Sequence, residues 1–523
     1  MKRIYFLGLF LCGLFLQQSV VAQQRYVDEV FTDADITVMK DVHYATNMSI
    51  LAKLFQEGID VPTVDMLRAN VHMPSAAVDT ETDRPVIVLL SGANFLPRYV
   101  QTCYGGREDL YMTTLAGKMA RRGFVVVVAE MRRGWNPLVT QPNEFLRELA
   151  DAVLRQAQDV RALARFLRKD IAENGNTFGI HPEKLIVWGT AHGQGTVATS
   201  AAFLRTEAEF ESPAYLVQDA EGEIVNIYDP NLFGNVDGTE PGFEPGGALS
   251  NLPSQTSGCY SPDYNLLVSG AGVNLDTFMV QAGEVPSIWF APEDWLAAGL
   301  EVGPLNLPAT GDFCCVTYFG QTYQRQADQL GNVDAWKGIE FADPIANDRY
   351  EYAPNPAFGT LEGAYGIPGD VSNQLPWIYW DEAGCEAVSP AVAELTKTAR
   401  VGASMENMIS AADNMLAFFA PRACITLDLG CSDITTGLRE ETVESQRIAV
   451  SPNPSKGIFS FDTPAEHTME AISIFDISGK LMYQTEVYNN TFTTTDLGLA
   501  TGIYIAKIKF EDGVASKKLN VTN

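Results

Sequence analysis

The chain has 523 residues, 46% hydrophobic and 10% aromatic, which is enough to bury a sizeable core and excludes wholesale disorder. Its length fits one large domain with a small one, or three of average size. A formal net charge of -29 excludes a nucleic-acid partner, because phosphates demand a basic surface.

The first element is a leader. Met1-Lys2-Arg3 gives a positive start, Ile4 to Leu16 an apolar run, and Val20-Val21-Ala22 a small-residue cleavage site. This is the layout of a secretory signal peptide over residues 1–22, too short to span a bilayer. No later stretch is long and apolar enough to cross a membrane, so no transmembrane segment is expected in the mature chain. Beyond Cys12 in the leader, seven cysteines remain, an odd number in a chain bound for an oxidising compartment. Cys424 and Cys431 bracket a short loop and are the best expected pair. Cysteine and histidine nowhere take metal-ligand spacing, so neither a metal nor a cofactor is expected.

From Val86 the pattern alternates strand and helix. Apolar runs at Val86–Leu90, Phe124–Ala129, Leu185–Trp188, Leu266–Val268 and Ser287–Phe290 fit strands buried on both faces of a parallel sheet. A helix between them carries Leu149, Val153, Ala157, Val160, Ala164, Leu167 and Ile171 on one face. Its arginines (Arg147, Arg155, Arg161, Arg165, Arg168) read as solvated flanks of that helix. The expected fold class is α/β, a doubly wound and mostly parallel sheet over residues 23–430.

Stretches rich in Gly, Pro and acidic residues at about 211–264 and 340–374 read as long insertions above the sheet edge. A last helix is expected at Met405–Phe419, followed by a polar linker at 431–446. From 447 to 523, short alternating segments such as Phe459–Phe461, Ala471–Phe475 and Ile503–Ile508 are broken by Gly479, Gly498 and Gly502. They predict a compact all-β sandwich.

That tail carries Ser451-Pro452-Asn453-Pro454 with Gly457, then Ile474-Phe475-Asp476-Ile477-Ser478-Gly479-Lys480 and Leu497-Gly498-Leu499-Ala500-Thr501-Gly502-Ile503-Tyr504, with Lys517-Lys518 near the end. In this order they resemble the C-terminal sorting domain of type IX secretion substrates. The resemblance implies handling by the type IX secretion machinery and release from the cell or anchoring at its surface.

Four short stretches mark the body. Ser91-Gly92-Ala93-Asn94-Phe95 follows the first strong strand, and Glu130-Met131-Arg132-Arg133-Gly134-Trp135 follows the second. Asp159-Val160-Arg161-Ala162 lies in the long helix, and Phe178-Gly179-Ile180-His181-Pro182-Glu183-Lys184-Leu185 leads into the next strand. Together they resemble carboxylesterase-type α/β-hydrolases over roughly residues 60–420. The resemblance implies an oxyanion-like loop at Gly92, Ala93 and Asn94, and a nucleophile on a G-x-S-x-G elbow.

Here the elbow reads Gly189-Thr190-Ala191-His192-Gly193. Ala191 stands at the nucleophile position, and a methyl group cannot attack a carbonyl. Asp294 matches the acid position, with Glu293 and an ordinary turn aspartate as the alternatives. From Asp294 to the linker there is no histidine; the next is His467, in the tail. Around Ser372 to Trp377, where a base would be sought, the chain offers amides. His192 reads first as structural, with ligand contact or catalysis as alternatives, while His43 and His72 read as surface or edge residues. Trp295, Trp377, Tyr379 and Trp380 either line a cleft or fill the core.

Losing either nucleophile or base costs a comparable serine protease about 10⁶ in turnover. The expectation is therefore a non-catalytic, carboxylesterase-like protein at the cell surface that binds a glycan, lipid, ester or protein. The competing expectation is an active secreted hydrolase with a site rebuilt from Asp294 and His192.

Overall fold

The computed structural model describes residues 24–218, 222–254, 259–293, 302–351, 360–368, 375–432, 434–435, 448–463, 468–476, 480–510 and 513–522. The expected leader at 1–22 lies outside them. The chain divides into two compact units, Met1–Thr435 and Thr436–Asn523.

The first unit is built on one eight-stranded mixed sheet. Its strands in chain order are β1 (Ile36–Ser49), β2 (Thr63–Pro74), β3 (Arg84–Leu90), β4 (Val125–Ala129), β5 (Ile180–Gly189), β6 (Leu266–Gly270), β7 (Ser287–Pro292) and β8 (Ala364–Ile367). Their spatial order is β1-β2-β4-β3-β5-β6-β7-β8. The pairings from β4 to β8 are parallel, and β2 runs antiparallel to both β1 and β4. Five of these strands are the apolar runs of the sequence; β5 begins earlier than expected, so His181 lies in its first residues.

Val86 through Leu90 are fully buried because both faces of β3 are covered. Ile87 and Leu89 pack with α1 (Leu110–Arg121) and with α5 (Met405–Thr426), while Val86, Val88 and Leu90 pack with α2 (Pro142–Glu173). Two further helices used below are α3 (His192–Phe203) and α4 (Gly320–Gln329). Each such side chain taken fully out of water contributes about 1.5–3 kcal/mol, which makes this strand the axis of the core.

The solvated-flank reading of the α2 arginines holds only for Arg147. Arg155, Arg161, Arg165 and Arg168 are buried, and each donates to backbone carbonyls. Arg161 reaches Val236 O at 2.9 Å and Arg165 reaches Asp237 O at 2.8 Å, both in the first insertion. The insertion lies across the polar side of α2, and the guanidinium groups satisfy carbonyls that this burial removes from water.

The stretch expected as the second insertion contains β8, the edge strand. Beside it, Arg422 of α5 donates to Glu362 at 2.6 and 2.9 Å with both side chains buried. His72, expected at a surface or edge, is buried in β2 between β1 and β4, whereas His43 is exposed. The Cys424–Cys431 pair is closed, and Cys103–Cys385 forms a second disulfide. Cys314 and Cys315 are half-buried thiols, and Cys259 is an exposed one.

The second unit is antiparallel throughout. A three-stranded sheet joins β9 (Ala449–Ser451), β10 (Ser460–Asp462) and β13 (Thr491–Thr493). A four-stranded sheet has the order β12 (Leu481–Asn489), β11 (Met469–Asp476), β14 (Gly502–Phe510), β15 (Gly513–Val521). The register sets Ile472 against Ile508 and Ile474 against Ala506. All four side chains are buried with Phe459, Phe461 and Leu519, so alternation on both sheets makes one shared core.

Candidate functional site

The topology alone selects a place for a site. β3 is flanked by β4 on one side and β5 on the other. The chain therefore leaves β3 in one direction and returns past it to form β5. Loops leaving the carboxyl ends of strands at such a reversal part from each other and open a crevice, where ligands bind in open α/β sheets. The two loops concerned are the stretch after Leu90 and the elbow after Gly189.

The elbow turns from β5 into α3 within two residues, Thr190 and Ala191. Glycine is required by close approach: a Cβ on Gly189 would stand 2.1 Å from Gln194 O, and one on Gly193 2.4 Å from Ala93 O. Ala191 is the N-cap of α3 at φ -145° and ψ 175°, ordinary extended backbone. Its carbonyl accepts the first helical bond, from Gly195 N at 2.6 Å, and the residue is only 2% exposed.

The oxyanion-like loop folds against this turn. Gly92 has φ +145° and lies so close to the Gln194 side chain that a Cβ there would meet Nε2 at 2.2 Å. Ala93 is buried against Gly193, and Asn94 is exposed. Trp135 Nε1 donates to Asn94 O at 2.8 Å, and Gly134 N to Phe95 O at 2.8 Å. The segments after β3 and β4 are thereby tied together. Behind them Arg132 pairs with Asp159 of α2, Nε to Oδ1 at 2.8 Å, both buried, which joins two of the stretches singled out in the sequence.

The other expected participants fall as follows. Asp294 and Trp295 lie outside the described residues, and Glu293 is exposed at the end of β7. His192 is half-buried at the start of α3. Burial, with a smaller contribution from the Arg400 charge, pushes its imidazole down to about 3. Ser372, Asn373 and Gln374 are outside the described residues. Trp377, just beyond them, is 3% exposed and donates from Nε1 to Thr190 O at 2.7 Å. The segment following β8 thus brings an indole to the elbow. Trp380 is likewise buried and Tyr379 half-buried.

Beside the elbow opens a cavity of about 290 Å³. Asn94, Phe95, His192 and Gly193 form one side, and Trp135 with Phe145, Leu149 and Val153 of α2 another. Val273 and Asn274, and Leu305 and Thr317 of a hairpin formed by Val302–Asn306 and Phe313–Phe319, complete it. Neither Ala191 nor Trp377 borders it. This wall went unseen in the sequence; the aromatic residues at 135 and 145 carried no signal separating a cleft from a core. Among the described residues, no group of three or more His, Cys, Asp or Glu side chains has the arrangement to hold a metal.

Comparison with known proteins adds the following. The family model described as a secretion system C-terminal sorting domain matches residues 449–522. No curated protein matches. Among solved structures, PorZ, an essential bacterial surface component of the type IX secretion system of Porphyromonas gingivalis, aligns at 20% identity and TM-score 0.14. That alignment covers 16% of this chain and only 12% of PorZ. Thermogutta terrifontis esterase 2 phosphorylated by paraoxon aligns at 15% identity over 50% of this chain and 71% of the esterase, TM-score 0.26. The propionate-bound form gives 15% identity, 49% and 72% coverage, and TM-score 0.26. Scores this low establish no shared fold. The matched tail is a sorting domain, and the chain is a type IX cargo, secreted or held at the cell surface.

Proposed function

We propose that residues 23–430 form a carboxylesterase-like, doubly wound α/β-hydrolase domain with a degenerate triad, and that the exported protein binds an extracellular ligand without turning it over. One observation carries this reading: the strand-to-helix elbow keeps its glycines but presents the buried methyl of Ala191, in relaxed extended backbone. A hydrolase elbow instead holds its serine in a strained turn with the oxygen exposed. The base is missing as well. Trp377 reaches the elbow after β8 and offers only a donor already given to Thr190 O.

The rebuilt-site alternative asks His192 to act as a base. An imidazole held near 3 is a weak base at neutral pH, where a general base works best with a pKa near the operating pH. The non-catalytic reading is therefore preferred.

A fluorophosphonate probe, which reacts with activated serine, tests the reading directly. The wild-type protein and Ala191→Ser should both remain unlabelled, because restoring a hydroxyl supplies no base to activate it. Stoichiometric labelling of Ala191→Ser would show that a base is present and would sink the proposal.

A further inference from the structure

The cavity beside the elbow has a polarity that selects its occupant. Among the described residues lining it there is no Lys, Arg, Asp or Glu. Its walls are apolar along α2, where Phe145, Leu149, Val153 and Leu154 face it. One polar group stands out. Asn274, on the short strand Val273–Asn274 paired with Tyr318 and Phe319, is 6% exposed and borders the cavity. Its Nδ2 is fully buried and meets no hydrogen-bond partner among the described residues. A buried donor left so costs about 1–3 kcal/mol, an expense that a ligand acceptor would offset. By contrast, Thr196 Oγ1, on the same wall, already bonds to Val273 O at 2.5 Å and to His192 O at 2.9 Å.

We infer that this cavity binds a neutral, medium-chain acyl compound, such as an ester or amide, whose carbonyl oxygen accepts a hydrogen bond from Asn274 Nδ2 while its chain lies along α2. Three features fix the class. A space of about 290 Å³ takes about ten heavy atoms at roughly 30 Å³ each. Apolar walls favour a hydrocarbon chain. A carboxylate would be desolvated there with no cation to pair with, so a free fatty acid is disfavoured relative to its ester or amide. His192 supplies no such cation, since its ring is neutral at physiological pH. The inference rests on the non-catalytic reading only in requiring that the bound ester persist.

Calorimetric titration of the full-length protein with decanamide, methyl decanoate and sodium decanoate at neutral pH tests it. The two neutral compounds should bind, and decanoate at least about ten-fold more weakly. Asn274→Leu should weaken decanamide about ten-fold. The same change should not lower the ligand-free melting temperature, because it removes an unsatisfied donor; a purely structural asparagine would show the reverse. Val153→Trp, which fills the cavity from α2, should abolish binding of both neutral ligands. Decanoate binding as tightly as decanamide, or unchanged decanamide affinity in Asn274→Leu, overturns the inference. The two readings are separated by mass analysis of bound methyl decanoate. Intact ester supports both; cleavage to decanoate leaves the cavity assignment standing and removes the non-catalytic one; and failure of decanamide to bind removes the cavity assignment alone.

Discussion

Ala191 and His192 sit side by side, and their environments decide what the elbow can do. Ala191 contributes no reactive atom. His192 has its pKa brought down to about 3 by burial and by the Arg400 charge. Its ordinary value is 6.5, so between these values the unfolded chain holds the extra proton and the folded chain does not. Stability contributed by this group is therefore lost as pH falls from 6.5 towards 3. His192→Gln removes the penalty. Thermal melts at about pH 7 and about pH 4 should show the variant gaining on the wild type at the acid end. Parallel shifts at both values would mean that the imidazole titrates normally. The missing hydroxyl was legible from a single letter in the Gly-rich elbow. The state of the neighbouring imidazole was not, because it depends on Arg400, more than two hundred residues away in sequence.

Among the elements, legibility followed burial on both faces. β3 to β7 could be read because a strand covered on both sides must be apolar at every position. β8 could not: Ala364-Tyr365-Gly366-Ile367 is short, contains glycine and lies within a Gly- and Pro-rich stretch. The arginines of α2 were misread for a related reason. A charge on the polar side of an amphipathic helix normally meets water, but here a later segment covers that side and brings carbonyls to the guanidinium groups. Arg161→Leu should leave the Val236, Ala201 and Ser200 carbonyls without their donor, at a cost of about 1–3 kcal/mol. If the loss is local, limited proteolysis within residues 222–254 should quicken about ten-fold, since cleavage follows the population of the opened segment. An unchanged cleavage rate would mean that the apolar contacts of Phe233 and Val236 suffice to hold it.

For the whole molecule, the sorting domain fixes the destination and the larger unit supplies the surface delivered there. The tail was legible because several short motifs recur in order, and its core residues alternate along strands as that pattern requires. What the delivered unit does depends on tertiary proximity: Trp377 reaches the elbow, and Asn274 faces a cavity whose walls come from segments between residues 94 and 317. The account's central claim is that the elbow is chemically inert. Hydrolysis of p-nitrophenyl butyrate by the purified full-length protein measures this most directly. The predicted rate is that of buffer alone; a turnover of about 1 s⁻¹, ordinary for an enzyme, would contradict it.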